Sequence, residues 1–100
     1  MILKILNAEN KNGWELTGRW TLISEVLNAT YVIVTGEKYK SIVKNSGKDY
    51  PFDYTTLQGE PTRVALVDIT RKNGTLLYVA FNTIGYLLND EGKTIEKISS

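Results

Sequence analysis

The chain has 100 residues, 12 basic and 11 acidic side chains and a formal net charge of +1, which fits one domain spanning residues 1–100. That balance lacks the basic excess of a nucleic-acid binder. Histidine and cysteine are both absent, which excludes Ser-His-Asp and Cys-His nucleophiles, disulfides and Cys/His zinc sites, so no enzyme, metal or cofactor is expected.

"MILKIL" opens the chain as a short strand. Its apolar run is shorter than the roughly 7–15 residues of a signal-peptide core. No later run approaches the roughly 20 residues of a membrane span. A soluble chain without a membrane partner is expected, and the lack of cysteine points to the cytoplasm.

"GWELTGRWTL" follows with a period of two. Trp14, Leu16, Trp20 and Leu22 share one parity, and Glu15, Thr17, Arg19 and Thr21 the other. This reads as a half-buried strand with both tryptophans facing the core and Gly18 making room between them. The next stretch, "TLISEVLN", is the single helix candidate.

"TYVIVT" is β-branched and aromatic, a strand signal, and "GE" is expected to turn it into "KYKSIVK" as a tight hairpin. Lys38, Lys40 and Lys44 would then share one strand face, with Lys48 in the following loop, "NSGKD". With Tyr39, Tyr50, Phe52 and Tyr54 nearby, this 38–48 stripe offers a surface for single-stranded nucleic acid. The near-zero net charge favours a solvated face whose lysines guard a sheet edge.

"YPFDYTTL" reads as another strand with Pro51 at its start, and "QGEP" as a turn. "TRVALVDIT" and "TLLYVAFN" are strands joined by "RKNG", in which Asn73-Gly74 is the strongest hairpin signal of the chain. Asp68 shares the parity of Val64 and Leu66, so it faces inward as an acid–base candidate or pairs with Arg71 or Lys72 at the strand end. Asp53 and Glu60 form a second carboxylate pair whose spacing nothing fixes. "TIG", "YLL", the turn "NDEG" and a last strand "KTIEKI" complete the chain.

About eight short strands at roughly ten-residue spacing imply an all-β fold, and closing its edges gives a small closed or nearly closed antiparallel β-barrel. Gly18-Arg19-Trp20, on a first long strand near the N-terminus, resembles the Gly-x-Trp signature of lipocalin-like barrels. The resemblance implies a meander in which Gly18 and Trp20 form the barrel floor. The late-strand arginine that packs on this tryptophan in lipocalins has no counterpart after Arg71.

The size, the opening strand before Gly-x-Trp and the segment "NTIGYLL" also look similar to the staphostatins, small inhibitors of papain-like cysteine proteases. That resemblance implies a protease-contact loop at Thr83, Ile84, Gly85 and Tyr86, with Ile84 as specificity residue and Gly85 at the scissile position. Tyr86 and Leu87 stand where family members carry serine and proline. A non-enzymatic protein-interaction role is therefore the leading expectation. The alternatives are a carrier of a small apolar ligand in a cavity lined by Trp14, Tyr31 and Tyr78, and a nucleic-acid binder using the 38–48 lysines.

Overall fold

The computed structural model describes residues 1–10, 14–50 and 63–99, with the side chains of 7–10 and 14–17 outside that description. In chain order it has β1 (Ile2–Asn10), β2 (Trp14–Ile23), β3 (Val26–Thr35), α1 (Gly36–Ser46), β4 (Arg63–Arg71), β5 (Leu76–Asn82), β6 (Gly85–Leu88) and β7 (Thr94–Ile98). The expected "YPFDYTTL" strand and "QGEP" turn lie outside the described residues, as do Phe52, Tyr54, Asp53 and Glu60.

The strands form two antiparallel sheets, one in the order β2-β1-β6-β7 and the other in the order β3-β4-β5. They pack face to face over one core. Leu3 and Ile5 of β1, Leu87 of β6 and Ile98 of β7 meet Ala65, Val67 and Ile69 of β4 and Val79 and Phe81 of β5. A second core lies on the opposite face of the three-stranded sheet. There Val34, Val64, Leu66 and Ala80 pack against Tyr39 and Tyr50, with Ile42 and Val43 alongside. β4 is thus covered on both faces, which explains why "VALV" is continuously apolar where a half-exposed strand would alternate.

The all-β expectation stands at the level of class, with one helix added, but the barrel does not. Closure would require the outermost strands of the two sheets to pair. Among the described residues, β3 pairs only with β4 and β7 only with β6. The chain changes sheet at Ser24-Glu25, where Glu25 takes a left-handed φ of 58°. Val26 N–H donates to the Met1 carbonyl (2.9 Å), the Met1 ammonium donates to the Val26 carbonyl (2.8 Å), and Lys72 N–H donates to Glu25 (2.8 Å). These bonds hold the corner. They also explain why "TLISEVLN" is strand, corner and strand instead of helix: eight residues make a marginal helix in isolation, and tertiary pairing decides.

The expected hairpin through "KYKSIVK" is instead α1. Tyr39, Ile42 and Val43 lie at i, i+3 and i+4 and turn one face onto the sheet. Glu37 in the first turn and Lys44 in the last complement the helix dipole. Gly47, with a φ of 67°, ends the helix in the left-handed conformation that glycine adopts without a Cβ penalty. The β4–β5 hairpin closes as expected around Asn73-Gly74: Gly74 has a φ of 85°, and Asn73 Oδ1 accepts from Thr75 N–H (3.0 Å).

Candidate functional site

The outer face of the four-stranded sheet follows from strand register. Lys4 lies opposite Leu22 on one side and Tyr86 on the other, Leu6 lies opposite Trp20, and Tyr86 lies opposite Lys97. Directly opposed residues share a face. The inward parity of β1 is taken by Leu3 and Ile5, which leaves Lys4, Leu6, Trp20, Leu22, Tyr86 and Lys97 facing out. The Trp20 and Tyr86 rings are 5.8 Å apart and tilted by 43°. Lys4 Nζ sits 4.7 Å from the Trp20 ring centre, within cation–π range.

This face has no second layer among the described residues, because α1 packs on the far side of the other sheet. Trp20 is 40% exposed and Leu22 62%. Ile95, the extra residue of the bulge in β7, is 56% exposed at the margin. The expectation that Trp20 plugs a barrel floor is therefore corrected: Trp20 lies on the outer surface, and Gly18, with a φ of 80°, is exposed with open space where a Cβ would stand. The Trp14 side chain lies outside the described residues.

The segment carrying Thr83, Ile84, Gly85 and Tyr86 is bound into the sheet. Gly85 is buried and opens β6 between Ile5 and Ile98. A Cβ at Gly85 would lie 2.9 Å from Phe81 Cε2 and 3.2 Å from the Lys4 carbonyl oxygen. Ile84 accepts a hydrogen bond from Leu6 N–H (3.1 Å), and Thr83 N–H donates to Asn82 Oδ1 (2.8 Å). Tyr86 belongs to the outer face beside Trp20.

The proposed carrier residues are not gathered into one cavity. Tyr31 is opposite Val67 and Tyr78 opposite Asp68, so the two tyrosines face opposite sides of the three-stranded sheet. Tyr31 OH donates to Glu96 Oε1 (2.5 Å) across the open side of the sandwich, and that bond raises the phenol pKa above its ordinary value.

The 38–48 lysines do not form a strand face. Lys38, Lys40 and Lys44 are exposed on α1, whereas Tyr39 is fully buried beneath it. Lys48, just past the helix, pairs with Asp68, whose other oxygen accepts from Tyr50 OH (3.2 Å). Asp68 therefore faces the helix side, as its parity suggests, with Lys48 as partner in place of Arg71 or Lys72. The Asp68 bond holds the Lys48 ammonium above the usual lysine range, and burial, with Asp68 next, raises the Tyr50 phenol. The pair borders a groove of about 320 Å³ between α1 and strands β3 and β4. Among the described residues no group of His, Cys, Asp and Glu side chains could hold a metal ion, and no helix is long and apolar enough to cross a membrane.

The outer-face patch escaped sequence reasoning because "MILKIL" is apolar at both parities apart from Lys4. The usable signal was Lys4 itself, which marks the solvent side and carries Trp20 and Leu22 with it once β1 and β2 are paired. Compared with known proteins, the chain matches no family model, no curated protein and no solved structure.

Proposed function

We propose that this chain is a non-enzymatic protein-interaction module whose contact surface is the outer face of the four-stranded sheet. Trp20, Leu22 and Tyr86 supply its centre, and Lys4 and Lys97 are the charged side chains on it among the described residues. The observation that carries this reading is the exposure of Trp20 (40%) and Leu22 (62%) together on a sheet face with no covering layer among the described residues. Contiguous exposed apolar surface marks interaction sites, and tryptophan and tyrosine dominate binding hot spots.

The partner that fits is a protein surface with an apolar patch rimmed by carboxylates, complementary to Lys4 and Lys97. Aliphatic side chains and only two lysines make a poor track for phosphates, whose binding strength grows with the number of cations engaged. A papain-like cysteine protease is one partner class to assay. Its contact would run through this face, since Gly85 is buried beneath Phe81 and bound into the sheet.

The test is affinity capture followed by titration of the purified partner. Trp20→Ala should weaken binding by roughly thirtyfold, the size of an interface hot spot, and Leu22→Asp by at least about tenfold through a desolvated charge. Leu76→Asp, at an equally exposed leucine on the other sheet, should leave affinity unchanged. Equal binding by all three variants would overturn the assignment. Affinity that collapses with salt and follows nucleic acid would replace it with the phosphate reading.

A further inference from the structure

β3 is an edge strand of ten residues, "VLNATYVIVT", with no proline and no charged side chain. Edge strands ordinarily carry lysine, proline or a covering element that prevents pairing with another chain. β5, the other edge of the same sheet, is uncharged too, but Val79, Ala80 and Phe81 are buried and Phe81 packs in the inter-sheet core with Leu3 and Ile5. Both edges expose a leucine near their start, Leu76 of β5 (61%) and Leu27 of β3 (61%), the latter the extra residue of a bulge between Val26 and Asn28. β3 differs in the middle of the strand, where Val32 is 47% exposed beside β4, its strand partner.

Both faces beside this edge have defined chemistry. On the helix side, Ala80, Leu66 and Val32 form one cross-strand row. The row is buried to 2% exposure at Ala80 and Leu66 and then ends half-open at Val32. The 320 Å³ groove lies over the end of this row, with Val32 and Leu66 on the sheet side and Ile42 on the helix side. On the opposite face, the next residue, Tyr31, is held by the Glu96 carboxylate. A strand added beside β3 would place alternate side chains next to Val32 and next to Tyr31.

We propose that β3 receives an extended peptide segment of a partner protein as a fourth strand, with an aliphatic side chain completing the Val32 row and entering the groove, and a lysine or arginine at the adjacent position facing Glu96. Main-chain hydrogen bonds supply the register and the two alternating environments supply specificity. This surface is separate from the outer face of the four-stranded sheet, so the two assignments fail independently.

The test uses a capped, fluorescein-labelled heptapeptide of alternating valine and lysine, titrated against the full chain by fluorescence anisotropy. Saturable binding is expected. A valine–glutamate peptide should bind at least tenfold more weakly, and methylation of alternate backbone nitrogens should abolish binding, since the ladder needs those donors. Val32→Asp should weaken binding at least tenfold at an unchanged far-ultraviolet spectrum. Trp20→Ala should bind as the parent does. On the parent chain, peptide should slow hydrogen exchange at alternate amides between Asn28 and Val34. Absence of saturable binding, equal binding of the methylated peptide, or equal binding by Val32→Asp would overturn the proposal. So would a doubled sedimentation mass abolished by Val32→Asp, which would make the occupant a second copy of this chain.

Discussion

Replacing Gly85 with alanine tests the inter-sheet packing at its tightest point. The new methyl would stand 2.9 and 3.0 Å from two ring carbons of Phe81 and 3.2 Å from the Lys4 carbonyl oxygen. Carbon atoms pack best at about 3.5–4.0 Å, so the ring must retreat by roughly half an ångström. Phe81 is 1% exposed and is enclosed by the core of both sheets, which leaves it little room. Overpacking of this kind costs about 1–3 kcal/mol. Alanine also narrows the unfolded ensemble, which offsets about 0.4–1 kcal/mol. A net loss of about 1–2 kcal/mol is therefore expected, equivalent to a fall in Tm of roughly 4–8 °C for each kcal/mol in a domain of this size. Urea unfolding followed by tryptophan fluorescence measures it. In a Phe81→Leu background the same substitution should lose at least about 0.5 kcal/mol of its cost, because the clashing ring carbons are gone. A Gly85→Ala chain as stable as the parent, or a cost indifferent to Phe81, would refute the packing argument. The same geometry means that a bulky residue at position 85 disturbs the fold itself, so a protease-contact loop in this segment has to be probed at Thr83 or Ile84 instead.

Two further outcomes follow from the helix and from the groove. Gly47→Ala places a Cβ at a φ of 67° and should lower stability by about 1–2 kcal/mol, measurable in the same urea titration. Lys48 and Tyr50 both have folded-state pKa values raised above their ordinary ones, the first mainly by the Asp68 hydrogen bond and the second mainly by burial. Their contribution is complete below the ordinary lysine and tyrosine values, near pH 10, and is lost as pH rises through the folded values. Stability should therefore decline at alkaline pH, with Tyr31, raised by its Glu96 bond, adding to the decline. Asp68→Asn should reduce the decline by the part that Asp68 causes, chiefly at Lys48, and leave the part due to burial of Tyr50. An unchanged alkaline slope would show that the Lys48–Asp68 bond contributes nothing to it.

The strands on either side of Asn73-Gly74 were legible because turn chemistry and apolar pattern agree there. The helix was legible in principle. Tyr39, Ile42 and Val43 have helical spacing and Gly47 is a stop signal, but the β-branched run of β3 leads into it without a break. The direction in which Trp20 points was not legible. A period of two separates the faces of a strand without saying which one is buried, and β1 offers apolar residues on both. Only pairing with Lys4 and burial of Leu3 and Ile5 decide it. The Lys48–Asp68 bond is hidden for another reason: it joins residues twenty positions apart, and Lys48 follows a helix whose sequence, "KYKSIVK", reads as a strand leading into the loop "NSGKD".

β4 has one further consequence. Leu66 and Val67 are neighbours in the chain, yet each belongs to a different core, one under α1 and one between the sheets. A strand shared by two interfaces ties their melting together. Detaching the helix exposes Val64 and Leu66, parting the sheets exposes Ala65, Val67 and Ile69, and either event removes one of the two supports that hold the same backbone in place. The three layers are therefore expected to unfold as one cooperative unit in which β4 opens last, so that the slowest-exchanging amides of the chain should lie on β4.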